Sequence, residues 1–214
     1  MLDHLNYRAD QIQTVPQNYR FWLHLGQTVG ICLCAMAMGL VMINELHQEE
    51  LLTIPITILS AIIFEWYTHR YALHRAFPGL RKIHELHIQH HMMFHHDTIQ
   101  VSNEREYQFV LLPAFGMALL IAIIGVINFI FAQFMSSNVA WLAFATQAGC
   151  VLYYELAHLS FHLPLTHPLM YLLKYFCPLK QHHVDHHNPA IGSNWNFGIT
   201  NSWSDRIFGT KWKP

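Results

Sequence analysis

Histidine is concentrated in one short stretch of this sequence, HELHIQHHMMFHH, which runs from His84 to His96. Six of its thirteen residues are histidine, whereas the whole 214-residue chain contains eighteen. A second dense stretch, HHVDHH, runs from His182 to His187. Imidazole is the commonest protein ligand for transition metals, so this density predicts metal binding.

Ten of the histidines fall into four groups with regular spacing. On an α-helix, residues three or four apart project from one face, with Cβ atoms about 5–6 Å apart. Two H-x2-H-H units that face each other could therefore surround two metal ions, much as carboxylates do in dimetal helical bundles. The groups are His69 and His74 (H-x4-H), His87, His90 and His91 (H-x2-H-H), His158 and His162 (H-x3-H), and His183, His186 and His187 (H-x2-H-H).

Further polar residues lie beside these groups. His84 would share a helix face with His87 and His91, so it is predicted either to bind metal or to hydrogen-bond a ligand from outside. His95 is expected to lie outside the ligand set or at the surface. His96 and His182 are candidates for additional ligands. Asp185 and Glu155 are candidate acceptors that would orient imidazole rings, although a solvated Asp185 is an equal alternative. His4, His24, His47 and His167 are assigned no role.

The composition predicts a membrane protein. The chain is 53% hydrophobic and only 12% charged, about half the charged fraction of an ordinary soluble domain. A net charge of −1 without a cluster of Lys and Arg excludes nucleic acid as a partner. Four apolar runs have about the length needed to cross a bilayer, and they predict spans at about 28–46, 51–67, 109–134 and 139–157.

The positive charges predict the orientation of these spans. All twelve Lys and Arg lie within residues 1–20, 68–108 and 158–214, and the turns at 47–50 and 136–138 contain none. By the positive-inside rule, the three charged segments lie in the cytoplasm. We therefore predict an all-α fold in a single domain, 1–214. It would be a four-span transmembrane helical bundle whose cytoplasmic histidine-rich dimetal cap is built from 68–108 and 158–214.

The order of the histidine groups resembles the eight-histidine signature of the fatty acid hydroxylase and sterol desaturase superfamily. His158 and His162 are similar to an additional H-x3-H that members carry at the end of the last span. The closing segment NFGITNSWSDRIFGT, residues 196–210, resembles the end of the family, which finishes in D-x-x-F-G-T. The resemblance covers roughly residues 51–212.

This resemblance implies a membrane-bound non-haem diiron monooxygenase. Such an enzyme uses O2 to hydroxylate, or less commonly to desaturate, a C–H bond of a lipid such as a fatty acyl chain or a sterol-like molecule. The ten grouped histidines would bind two iron ions, and a purified sample could hold zinc instead. The lipid would enter from the membrane. Electrons are expected from a separate protein, because this chain has no room for the fused haem domain that some fatty acid hydroxylases carry.

Two alternatives stay open at this point. Carotenoid hydroxylases have a similar set of histidines, so a carotenoid ring is an alternative substrate. A non-catalytic metal-handling protein, such as a transporter or a sensor, is the alternative of a different class. Transport would favour polar ligands inside the spans, whereas Asn128 and Gln147 are the notable polar residues in the middles of these runs.

Overall fold

The described part of the chain is entirely helical, which confirms the predicted all-α fold. The computed structural model describes residues 2–191 and 194–213, and these form helices and turns without a β-strand. Residues 192, 193 and 214, which belong to the predicted cytoplasmic part, lie outside the described residues. The α-helices are α1 (Leu2–Thr14), α2 (Phe21–Val41), α3 (Thr53–Thr68), α4 (Arg81–Met93), α5 (Ala114–Phe131), α6 (Ser137–His162), α7 (Met170–Leu173), α8 (Lys180–His186) and α9 (Trp203–Ile207).

Shorter helical segments connect several of these helices. A 3-10 helix, Gln48–Leu52, leads into α3, and a π-helical turn, His69–Leu73, follows it directly. Two further 3-10 helices, Glu104–Phe109 and Lys174–Leu179, precede α5 and α8.

Three helical stretches among the described residues are long and apolar enough to cross a membrane. They are Phe21–Val41, Gln48–Leu73 and Glu104–Phe131, and they correspond to the first three predicted spans. The fourth predicted span, 139–157, lies within α6, whose 26 residues are about 39 Å long at 1.5 Å per residue. This helix is not among the three and contains Gln147 and Glu155. The chain thus has the helices of a membrane protein, and the fourth span stays a prediction.

Two α-helix ends differ from the ends of the predicted spans for local reasons. The first run was expected to extend to residue 46, but α2 ends at Val41 and Glu45 adopts a left-handed conformation with φ of 46°. The third run was expected to begin at Phe109, but α5 begins at Ala114. Pro113 precedes it with φ of −56° and ψ of 145°, and a proline has no N–H to continue an upstream helix.

The chain forms two compact units. The first comprises Met1–Phe21, Ile62–Leu111 and Leu156–Pro214, and the second comprises Trp22–Ala61 and Leu112–Glu155. We call them the histidine unit and the apolar unit. All three segments predicted to share the cytoplasmic side, 1–20, 68–108 and 158–214, belong to the histidine unit.

The apolar unit has a small core of closely packed side chains. Cys32, Met117 and Phe144 are buried there together with alanines. The two polar groups that the sequence places in the middles of the runs bond to each other, because Asn128 Nδ2 donates to Gln147 Oε1 over 2.6 Å. Satisfying both groups in this way avoids the cost of burying an unpaired amide.

Gly39 allows α2 and α6 to approach closely. A Cβ atom at this position would lie 2.9 Å from both Ala145 Cβ and the Trp141 carbonyl oxygen, whereas one at Gly30, on the same helix, would meet nothing within 4 Å. We expect Gly39→Ala to lower the free energy of unfolding by about 1–3 kcal/mol. Gly30→Ala, the matched control, should be neutral or stabilising by up to about 1 kcal/mol. Thermal unfolding in detergent measures both, and equal effects would contradict this packing.

Candidate metal centre

The π-helical turn after α3 brings the first two histidines together. Residues five apart on an α-helix point about 140° away from each other. Here the backbone N–H of His74 donates to the His69 carbonyl over 3.1 Å, which is the i to i+5 bond of a π-helix. The wider turn lets both rings face the same site, with centroids 5.1 Å apart. The H-x4-H spacing is therefore matched to this turn.

Helices carry the remaining ligand candidates. The first H-x2-H-H unit lies in the second half of α4, and His158 and His162 are one turn apart at the end of α6. The second unit ends α8, where His187 is the C-cap residue and its N–H donates to the His183 carbonyl. All of these residues belong to the histidine unit.

Five imidazoles converge in the first of two clusters, the five-histidine cluster. It consists of His69, His74, His87, His91 and His186, and one nitrogen of each lies within 4.8 Å of the others. The Nε2 atoms of His74 and His186 are 3.0 Å apart, as are those of His74 and His87. His87 Nε2 is 3.1 Å from the Nε2 atoms of both His69 and His91.

A second cluster, the four-histidine cluster, consists of His90, His162, His183 and His187. All four side chains are buried. The Nε2 atoms of His162 and His183 are 3.1 Å apart. His158 lies beside this cluster, with its Nε2 atom 3.2 Å from that of His90 and 3.3 Å from that of His162. The ten grouped histidines are thus brought together in two sets of five, the second set being the four-histidine cluster with His158 beside it.

Each H-x2-H-H unit supplies both clusters. The sequence predicts that the two units face each other, and the structure adds how their members divide. The clusters adjoin, since the rings of His91 and His187 stack with centroids 4.1 Å apart. His87, His91 and His186 belong to the five-histidine cluster, whereas His90, His183 and His187 belong to the four-histidine cluster.

Backbone carbonyls determine which ring nitrogen carries the proton. A carbonyl oxygen only accepts hydrogen bonds, so a ring nitrogen next to one must be the N–H donor. In a neutral imidazole the other nitrogen, Nε2, then carries a free lone pair. Nδ1 donates in this way from His69 to Phe197 (2.6 Å), from His186 to Trp195 (2.8 Å), from His90 to Phe109 (2.7 Å), from His162 to Ile99 (2.9 Å), and from His187 to Phe94.

The resulting arrangement fits metal ions. Within the clusters, Nε2 atoms of neighbouring rings lie 3.0–3.3 Å apart. For the five rings whose Nδ1 donates to a carbonyl, the Nε2 atom carries a lone pair that is free to bind a metal. His187 Nε2 is buried and has no hydrogen-bond partner among the described residues. A cation between the nitrogens would be bound by several of these lone pairs at once. Neutral imidazoles are what iron, zinc and copper bind, so the donor set suits two transition-metal ions.

Burial keeps these imidazoles neutral. Loss of solvent lowers the pKa of His90 to about 4, partly offset by its bond to the Phe109 carbonyl. The same cause lowers the pKa of His186 to about 4, against the effect of its bond to Trp195. At neutral pH both rings are therefore uncharged, which is the form that binds metal.

These pKa shifts predict that the protein loses stability in mild acid. A histidine in the unfolded chain titrates near 6.5, whereas His90 and His186 titrate near 4 when folded. Between these values the unfolded chain binds more protons, so stability is complete above about pH 6.5 and falls as the pH approaches 4. We expect the unfolding temperature at pH 5 to lie several degrees below that at pH 7.5. Equal values at both pH values would contradict this linkage.

Three of the additional candidates lie outside both clusters. His84 Nδ1 donates to the Leu73 carbonyl over 2.7 Å, so it supports the turn that ends at His74. His182 Nε2 bonds to Asp205 Oδ2 over 2.9 Å. His96 lines a groove together with Arg8 and Lys180.

The hydrogen bonds found for the two predicted acceptors have partners other than the grouped histidines. Asp185 Oδ1 accepts from Gln181, and Glu155 accepts from the backbone N–H of Leu112. Backbone carbonyls orient five of the ten grouped imidazoles, and an orienting role for Asp185 or Glu155 stays a prediction. His95 bonds to Asp97 and stacks on His4. These three residues form a third, partly exposed group whose ligand atoms lie within 4.8 Å of one another, apart from the ten grouped histidines.

Two buried polar residues near the centre were missed from the sequence. Arg8 donates to the carbonyls of Thr98 and Gln100, each over 2.7 Å, and to the buried carboxylate of Glu106. It thereby holds the loop whose middle residue, Ile99, accepts from His162. Asp205 holds the C-terminal segment in a similar way, because it accepts from the Phe197 N–H. Its position as the first residue of the D-x-x-F-G-T motif was the sequence signal that could have identified it.

Comparison with known proteins identifies the family. A model of the fatty acid hydroxylase family matches residues 54–210, which include all ten grouped histidines. The chain belongs to the fatty acid hydroxylase family. The match confirms the resemblance seen in the sequence and covers most of the histidine unit.

A solved structure shares the fold of this fatty acid hydroxylase family member. It is described as full-length scs7p, with only the hydroxylase domain visible, and aligns with a TM-score of 0.61 at 17% sequence identity. The alignment covers 91% of this chain and 67% of that chain. At this identity the similarity shows the fold. No curated protein matches the chain.

Proposed function

We propose that this fatty acid hydroxylase family member is a membrane-bound dimetal oxygenase that hydroxylates a C–H bond of a lipid with O2. The observation that carries the proposal is the convergence of imidazole nitrogens in two adjoining clusters, in which five rings have their proton held on Nδ1 by a backbone carbonyl. Two iron ions are the proposed native occupants, and zinc is expected to compete for the same imidazoles during purification.

The protein residues would hold the metals and control their surroundings. His69, His74, His87, His91 and His186 would hold one ion, and His90, His158, His162, His183 and His187 the other. Two bound irons would supply the redox chemistry that activates O2. The backbone carbonyls keep five of the ten rings in one orientation and one tautomer, which preserves the geometry through turnover. The four-histidine cluster is buried and the five-histidine cluster is partly buried, which limits the access of water and hence side reactions.

The distribution of charge and apolar surface supports a site at the cytoplasmic face of a membrane. The three Lys- and Arg-containing segments all belong to the histidine unit, as the predicted four-span topology requires. The same unit exposes apolar and aromatic side chains beside a cation. Leu165, Tyr171, Leu172 and Tyr175 are 67–80% exposed, and Lys174 lies over the two tyrosine rings. Aromatic residues with lysine suit the membrane interface, where a lipid substrate could be received.

The substrate is proposed to be a fatty acyl chain or a sterol-like lipid, and a carotenoid is the alternative. Family membership favours hydroxylation over desaturation. Electrons for O2 reduction are proposed to come from a separate donor protein, because imidazole side chains can hold metals but do not supply electrons.

Metal transport is less well supported than catalysis. In the apolar unit, Asn128 and Gln147 are hydrogen-bonded to each other, so this pair does not provide the succession of metal ligands that a transport path would need. The histidines instead form two closed clusters in the other unit.

Lipid mass spectrometry of cells with and without the protein tests the proposal. In cells grown with isotopically heavy O2, we expect a lipid that has gained one labelled oxygen atom only when the protein is present. A product lacking two hydrogens and carrying no label would indicate desaturation, and a labelled carotenoid would identify the alternative substrate. Unchanged lipids and carotenoids, with metal tightly bound to the purified protein, would contradict the proposal and favour metal handling.

A further inference from the structure

The segment Trp195–Phe197 holds two rings of the five-histidine cluster through its backbone. The Trp195 carbonyl accepts from His186 Nδ1 over 2.8 Å, and the Phe197 carbonyl accepts from His69 Nδ1 over 2.6 Å. These rings come from helices distant in sequence, α8 and the π-helical turn. Two carbonyls in one short segment therefore set the orientation of both.

The residue between these carbonyls has an unusual conformation. Asn196 has φ of 58°, in the left-handed region that non-glycine residues seldom adopt. Three hydrogen bonds hold it there: its N–H donates to Thr210, its Oδ1 accepts from the Trp212 N–H, and its Nδ2 donates to the His182 carbonyl. The surrounding structure thus maintains a backbone turn that an isolated segment would leave.

Asp205 fixes the other side of this segment. The carboxylate is fully buried and accepts from the N–H groups of Phe197 and Gly198, each over 2.8 Å. It also accepts from Thr210 Oγ1 and bonds to His182 Nε2. Burial by itself raises the pKa of Asp205, but these hydrogen bonds outweigh it and lower the pKa below its usual value. The group is therefore an anion at neutral pH.

The backbone of Gly198–Thr200 is tightly enclosed by neighbouring groups. A Cβ atom at Gly198 would lie 2.0 Å from the Asn201 carbonyl oxygen and 3.0 Å from Asp205 Oδ2. On the opposite side, Glu65 accepts from the N–H groups of Ile199 and Thr200. Glu65 lies one helical turn before His69, so the segment is fastened to the element that carries this ligand candidate.

We infer that Asp205 is a positioning residue for one of the two metal sites. It fixes Phe197 and Gly198 so that the adjoining carbonyls orient His69 and His186 in the five-histidine cluster. The inference rests on the proposed metal-binding function. It predicts a one-sided effect, because the four-histidine cluster takes its carbonyls from Phe94, Ile99 and Phe109 instead.

The test measures the affinity of each site separately in the full-length protein. His183→Ala would disable the four-histidine cluster, and His87→Ala would disable the five-histidine cluster. Each variant is purified in detergent, stripped of metal and titrated with Co²⁺, whose visible absorption reports binding by imidazoles. Asp205→Ala is then added to both. We expect it to weaken Co²⁺ binding about 10–100-fold in the His183→Ala protein and to leave the affinity of the His87→Ala protein unchanged.

The possible outcomes separate the inference from the proposed function. Equal weakening in both backgrounds would show general structural damage and overturn the inference, and so would unchanged binding in the His183→Ala protein. Failure of both single variants to bind Co²⁺, together with failure of the unmodified protein, would overturn the metal centre itself. If Asp205→Ala does not fold, Asp205→Asn removes the charge with little change of shape and should give the same one-sided loss.

Discussion

Replacing His187 with alanine is expected to lower the yield of oxygenated lipid by more than about 100-fold. Loss of a group that merely orients a ligand costs about 10–100-fold in metal affinity or activity, and loss of a ligand should cost more. Nδ1 of His187 donates to the Phe94 carbonyl, and its buried Nε2 belongs to the four-histidine cluster and has no hydrogen-bond partner in the described part of the chain. We also expect the metal content to fall from two ions per chain to about one.

The measurement compares the oxygenated product at equal protein levels, with folding checked by thermal unfolding. His47→Ala is the matched control, because His47 is exposed and lies in the apolar unit, outside both clusters. It should retain full activity and both metals. A folded His187→Ala protein that yields the product at the normal rate would contradict the assignment of this histidine to the metal centre.

Removing both metals is expected to lower the unfolding temperature by roughly 15–30 °C. A ligand present at a thousandfold excess over its Kd stabilises the native state by about 4 kcal/mol, and about 2–4 °C corresponds to each kcal/mol in a chain of this size. Two sites at that occupancy account for the range. The structural reason is that metal removal takes away the ions that would link the five imidazoles of each set, whose Nε2 atoms lie as close as 3.0–3.3 Å to one another.

Differential scanning calorimetry of the protein before and after treatment with a chelator tests this expectation. Adding Fe²⁺, Co²⁺ or Zn²⁺ back should restore the original transition, whereas Mg²⁺ should not, because it prefers oxygen ligands. A chelated sample that is free of metal and unfolds at the same temperature would show that the imidazoles are stable without ions.

The sequence predicts the composition of the metal centre better than its internal arrangement. Histidine spacing and charge placement were enough to select the ten grouped residues, because metal binding leaves a dense and periodic chemical signature. The division of each H-x2-H-H unit between two clusters depends on how α4 and α8 meet. The π-helical turn after α3 was also not predicted, although the five-residue separation of His69 and His74 is consistent with it.

The orienting groups were beyond sequence reasoning for a different reason. A carboxylate such as Asp185 or Glu155 is visible as a candidate acceptor, but a backbone carbonyl is present at every residue. Only the folded chain reveals that Trp195 and Phe197 perform this role. The helix bounds were shifted where a single residue intervened, as Pro113 did before α5.

The sharing of each H-x2-H-H unit between both clusters limits how this protein can diverge. One residue inserted in α4 between His87 and His90 would rotate their rings by about 100° relative to each other. Because His87 serves one cluster and His90 the other, no compensating change at a single site could repair the damage. The two sites are consequently inherited together. Residues around the histidines can be substituted, but insertions and deletions within the two H-x2-H-H units should not be tolerated.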